Sequence, residues 1–114
     1  MGVIKRGVKS GQRQERRLTF LIDADASSPS ITLGSFQGSL TRNGAGDYTL
    51  TLNDPFGRAP VARVSGAEAD TAGYSDYASN TVSSVDVQIT DLAGLAADND
   101  VLVEVIGWDT EDEA

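Results

Sequence analysis

The chain has 114 residues, with 9 Lys and Arg against 17 Asp and Glu for a formal charge of −8, and it contains neither Cys nor His. That length suits one domain with a modest core and leaves no room for a second. Without Cys or His there are no disulfides, thiolate nucleophiles, usual zinc sites or Ser-His-Asp and Cys-His constellations, so an enzyme is not expected and no metal or cofactor is assigned.

The charge is divided along the chain. Residues 1–17 carry Lys5, Arg6, Lys9, Arg13, Arg16 and Arg17 against Glu15 alone, a local charge of +5, while residues 18–114 carry −13. A basic arm ahead of an acidic body suggests that the arm attaches and the body solubilises. No apolar run approaches the roughly 18 residues of a membrane span, and no apolar h-region follows the basic residues, so neither membrane insertion nor secretory processing is expected.

After the arm, residues 18–22 (LTFLI) are predicted as the first strand, ended by the Asp- and Ser-rich stretch 23–30. Residues 31–40 alternate around Gly34 and Gly38 and fit either one bent strand or two short ones. Asn43-Gly44-Ala45-Gly46 is a hairpin signal, because Asn-Gly supplies the positive φ that tight loops require. It leads into residues 47–53 (DYTLTLN), where Tyr48, Leu50 and Leu52 alternate with Thr49 and Thr51 as in a half-buried antiparallel strand. Turn chemistry at Asp54-Pro55-Phe56-Gly57 precedes a predicted strand over residues 60–65. Residues 66–80 read as a long loop with at most a short ordered piece, residues 81–90 as a strand, and residues 91–99 as a loop whose LAGLAA centre could form one helical turn.

The last strand, residues 100–108 (DVLVEVIGW), is apolar on both faces. Val101, Val103 and Val105 point one way; Leu102, Ile106 and Trp108 point the other, interrupted only by Glu104. One face can fill a core. The other needs a second cover, and another copy of the chain is the simplest source, which makes Leu102, Ile106 and Trp108 the expected oligomer interface. The acidic residues 110–114 lack apolar content and are expected to stay solvated. Short strands separated by Gly, Asn, Asp and Pro turns, with no amphipathic helix, predict an all-β antiparallel β-sandwich or jelly roll.

Candidate chemistry is thin. Asp23 with Asp25 and Asp98 with Asp100 could offer oxygen ligands to calcium, but they lack the rest of an EF-hand pattern, and turn acids usually bond nearby backbone amides. Asp76 between Tyr74 and Tyr77 could line a ligand groove, although two rings packed on a sheet edge or a neighbouring subunit is the favoured reading. Residues 34–38 (GSFQG) lack the helix and Lys of a phosphate loop. Trp108 could stack on a sugar or base, yet core or interface is favoured. Lys5, Arg6, Lys9, Arg13, Arg16 and Arg17 could dock on an acidic protein surface, solubilise the chain, or contact phosphates; nucleic acid is least favoured, because the arm has no aromatic residue and the body is acidic.

Residues 40–64 (LTRNGAGDYTLTLNDPFGRAPVARV), followed later by VLVEVIGW, resemble small β-sandwich proteins of tailed bacteriophage virions. Those proteins carry a "TRxGxGxYTLTLxDxFxxxP" segment and a final strand ending in "VxVIGxD". The matching residues here are Thr41, Arg42, Gly44, Gly46, Tyr48, Thr49, Leu50, Thr51, Leu52, Asp54, Phe56 and Pro60, then Val103, Val105, Ile106, Gly107 and Asp109. The resemblance covers about a third of the chain and implies a trimeric jelly-roll head serving as a capsid decoration protein, head fibre or similar appendage. A short basic arm in place of a long stalk favours a decoration (cement) protein on the outer capsid surface. The expectation is therefore an arm over residues 1–17 that binds the major capsid protein, a homotrimeric sandwich over residues 18–109 and a tail over residues 110–114. A receptor- or carbohydrate-binding head or fibre module is the alternative.

Overall fold

A strand sends successive side chains to opposite faces, so alternating sequence folds stably only where its apolar row meets another apolar row. In the computed structural model, which describes residues 13–34 and 38–110, eight strands form among the described residues. They are β1 (Arg13–Asp23), β2 (Ser30–Gly34), β3 (Gly38–Gly44), β4 (Asp47–Leu52), β5 (Val61–Gly66), β6 (Ala72–Tyr74), β7 (Ser84–Thr90) and β8 (Val101–Thr110), with a 3-10 turn at Tyr77–Ser79. Two four-stranded sheets pack together, ordered β2-β1-β8-β5 and β3-β4-β7-β6, and every ladder is antiparallel.

The core lies between the sheets. Phe20 and Ile22 of β1 and Val101, Val103 and Val105 of β8 meet Tyr48, Leu50 and Leu52 of β4 and Val85, Val87 and Ile89 of β7. Each such side chain removed from water contributes roughly 1.5–3 kcal/mol before chain entropy is set against it. The sandwich predicted from alternation is present. Among the described strands, β1–β2, β3–β4 and β6–β7 each pair within one sheet, while the other four successive connections cross between the sheets. Residues 31–40 resolve into two strands, because β2 pairs with β1 in one sheet and β3 with β4 in the other.

A hairpin joins β3 and β4, but its turn is Ala45-Gly46 rather than Asn43-Gly44, which remain in β3 with an irregular register at Arg42/Gly44. Gly46 is the position that demands glycine: its φ is +65° and an added Cβ would sit 2.2 Å from the Ile89 carbonyl oxygen. The expected helical turn at residues 92–97 is absent. That segment instead folds back on β7, with Asp91 accepting from the backbone N–H groups of Ala93 and Leu95, and Ala97 N–H donating to Ile89 O at 3.1 Å.

The main departure concerns the arm. β1 begins at Arg13, five residues before the first apolar residue of the predicted strand, and pairs with β8 without a slip from Arg13↔Thr110 to Ile22↔Val101. The arm boundary at residue 17 is thereby corrected: Arg13, Arg16 and Arg17 belong to the sandwich. Period-two alternation continues through the charged stretch, placing Arg16, Leu18, Phe20 and Ile22 on the inner side. A chain lacking residues 1–17 is expected to be less stable than one lacking residues 1–12, by about 2 kcal/mol or more and on the order of 10 °C in Tm, since it loses five paired backbone positions and the Arg16 contacts. Thermal unfolding of the two truncations checks this, and equal Tm values would show that residues 13–17 add no stability.

Candidate interaction face

β8 pairs with β1 on one side and β5 on the other, so its outward residues stand in register with theirs. Four rows result: Leu21, Leu102 and Ser65; Thr19, Glu104 and Arg63; Arg17, Ile106 and Val61; and Glu15 beside Trp108. Leu102 is 43 % exposed and Val61 38 %, with Ile106 and Trp108 half-buried. The three predicted interface residues thus share one face. Sequence reading missed the rest of that face. Glu104 pairs with Arg17 at 3.2 Å and Arg63 at 3.6 Å, and Arg17 also pairs with Glu15. An ionic ladder therefore crosses three strands between Leu102 and Ile106, and a hollow of about 260 Å³ lies among Thr19, Arg63, Ser65, Leu102 and Glu104. The missed signal was the alternation of Val61, Arg63 and Ser65 against Ala62 and Val64 in β5.

The basic residues expected to dock on a capsid divide three ways. Lys5, Arg6 and Lys9 lie outside the described residues. Arg13 takes its place at the start of β1, and Arg17 sits half-exposed in the ladder. Arg16 is committed within the molecule. Its guanidinium lies 4.1 Å from the Phe56 ring centroid, donates to Pro55 O at 2.9 Å and Asp54 O at 3.2 Å, and pairs with Asp109 at 3.0 Å and Asp54 at 3.2 Å. Phe56 in turn covers Gly107, where an added Cβ would stand 2.3 Å from the ring.

At the other end of the sandwich, Asp98 gathers a second clasp. Arg42 grips it through two bonds of 3.1 and 2.8 Å, the Tyr48 hydroxyl donates at 2.7 Å and Gly46 N–H at 3.0 Å. The Arg42 guanidinium, helped by these other donors and opposed by burial, holds the Asp98 carboxyl down at about 2. Burial first, and then the bond to Asp98, push the Tyr48 phenol up. Arg42, Gly46, Tyr48, Asp54, Phe56, Gly107 and Asp109, which carry much of the resemblance, all belong to one of these two clasps. Their work here is structural.

The remaining candidates resolve plainly. Asp25 makes a turn, accepting from the Ser27 and Ser28 backbone N–H groups at 2.8 and 3.2 Å, and Ser27 N–H chiefly lowers its carboxyl. Asp100 is raised, by burial and then by the charges of Asp23 and Glu68. Among the described residues no three acids are grouped as a metal would need. Tyr74 and Tyr77 are 57 % and 55 % exposed, so of the two packings expected from sequence, sheet edge or neighbouring subunit, the first is not formed within the chain. Comparison with protein-family models, curated proteins and solved structures returns no match.

The Asp98 clasp sets an acid limit. The unfolded carboxyl titrates near 3.9 and the folded one near 2, so the unfolded chain binds more protons between those values. The contribution, about 2 kcal/mol, is complete above roughly pH 4 and is lost as pH falls through about 2. Asp98→Asn is expected to lose a similar amount at pH 7 and to show a shallower decline between pH 4 and 2. Urea unfolding of both proteins across that range checks the sign, and parallel curves would refute it. Gly107→Ala is expected to cost about 1–3 kcal/mol by forcing Phe56 aside, read by the same method.

Proposed function

We propose that the chain is a non-catalytic virion protein, a capsid decoration protein of a tailed bacteriophage that binds the outer surface of the head as a homotrimer and stabilises the shell. The observation that carries this reading is the outward row Leu102, Ile106 and Trp108, joined in register by Val61, with Leu102 and Val61 exposed to solvent. The VxVIGxD resemblance lies on the same strand. The absence of His and Cys from the sequence supports a role without chemistry.

In this reading, copies of the sandwich meet through the β8 face. Ile106 and Trp108 supply apolar contact, while the Glu104 ladder fixes register, since a misplaced copy would bring like charges together. Lys5, Arg6 and Lys9 attach to the major capsid protein, and a trimer on a three-fold position multiplies weak arm contacts by avidity. Binding only the assembled shell, the protein stabilises it by mass action. The acidic body disfavours nucleic acid as partner.

The chain is expected to sediment as a trimer at micromolar concentration, with Ile106→Asp giving monomer or aggregate because a carboxylate would be buried at an apolar contact. A stable wild-type monomer overturns the trimer. Co-sedimentation with undecorated heads tests attachment: removal of residues 1–12 is expected to weaken binding strongly while leaving the oligomer intact. Binding of the intact chain should fall with salt as the Debye length shrinks from about 10 Å at 0.1 M to about 3 Å at 1 M. Equal binding by both forms moves the contact to the body.

A further inference from the structure

We propose that the outer face of the β3-β4-β7-β6 sheet is a binding site for neutral carbohydrate, built on Tyr74, Gln88, Asp47 and Asp86. The face is set by register. Asp47 of β4 pairs with Gln88 of β7, which pairs with Tyr74 of β6, and Thr49 pairs with Asp86 in the next row. All five point away from the core, because their neighbours Tyr48, Leu50, Val85, Val87 and Ile89 fill it and Gly73 faces Val64.

Gln88 is held as a fixed group. Its Nε2 donates to Asp47 Oδ1 at 2.9 Å and to Asp86 Oδ1 at 2.7 Å, which uses both amide hydrogens and leaves the carbonyl oxygen to accept. Asp86 Oδ2 accepts from Asp76 N–H at 3.2 Å, tying the 3-10 turn that carries Tyr77 to the same face. The fold gains little from an amide bridging two carboxylates at a solvent-facing position. Beside this row lies the Tyr74 ring, 57 % exposed.

A sugar ring presents an apolar C–H face and an edge of hydroxyls. An exposed aromatic ring suits the first, and adjacent carboxylate, amide and threonine oxygens suit the second. Charge narrows the ligand further. Among the described residues this face holds Asp47, Asp76 and Asp86 and no cation, so phosphates, sulfated chains and nucleic acids are repelled. A cationic peptide finds the inner carboxylate oxygens already engaged by Gln88.

Native gels containing a soluble β-glucan, galactomannan or arabinoxylan test this with the full chain, followed by NMR titration with the matching hexasaccharide. At least one polymer is expected to retard the protein. Tyr74→Ala and Gln88→Ala should each weaken binding by about tenfold or more without moving Tm, while Leu92→Ser, on the exposed loop after β7 and outside these rows, leaves it unchanged. No retardation by any of the three, or equal retardation of wild type and both variants, overturns the proposal. Binding of a Lys- and Arg-rich peptide with no sugar binding overturns it in favour of a cationic partner.

Discussion

The ten-position register between β1 and β8 is the constraint on which the rest of the molecule depends. It places β8 at the centre of its sheet with β5 on the other side, so a slip of one residue would send the Val101, Val103 and Val105 row outward and bring Leu102, Glu104 and Ile106 into the core. Burying Glu104 without its partners would be heavily penalised. The register is therefore fixed from both faces: three valines must be inside, and one glutamate must be outside between two arginines.

Each end of the sandwich is closed by a charged clasp rather than by more hydrocarbon. At one end Arg16 lies over Phe56, and the loop carrying Phe56 is tied to the turn before β7 by Phe56 N–H to Val82 O and to β8 by Gly57 N–H to Trp108 O. At the other, Asp98 links the β3–β4 hairpin to the segment entering β8. A small domain has few large side chains with which to cap its core. A bidentate, partly buried Arg42–Asp98 pair at one end, and at the other a guanidinium shared between Asp54, Asp109 and two backbone carbonyls, give directional closure.

The two outer faces differ in chemistry, and this separation underlies both proposals. The sheet containing β8 exposes aliphatic and aromatic groups threaded by an ionic ladder, suited to a matching protein surface. The other exposes short polar side chains, carboxylates and the Tyr74 ring, suited to hydroxyl-rich ligands. A protein that packs by one sheet can keep the other free, since the core lies between them.

By itself the sequence determined the all-β class, a hairpin within residues 43–46, the strands over most of β4, β5 and β7, and the division of β8 into a buried valine row and an outward Leu102, Ile106 and Trp108 row. Those features follow from alternation and turn chemistry, which act within a few residues. Tertiary structure alone decided that the charged residues 13–17 continue a strand. Their inward Arg16 needs Phe56, Asp54 and Asp109, which stand as much as 93 positions away in sequence. It also decided that β2 and β3 lie in different sheets, that Arg17 and Arg63 flank Glu104, and that Gln88 sits between Asp47 and Asp86. Each arises from pairing between distant strands, and local pattern carries no record of which strand becomes the neighbour.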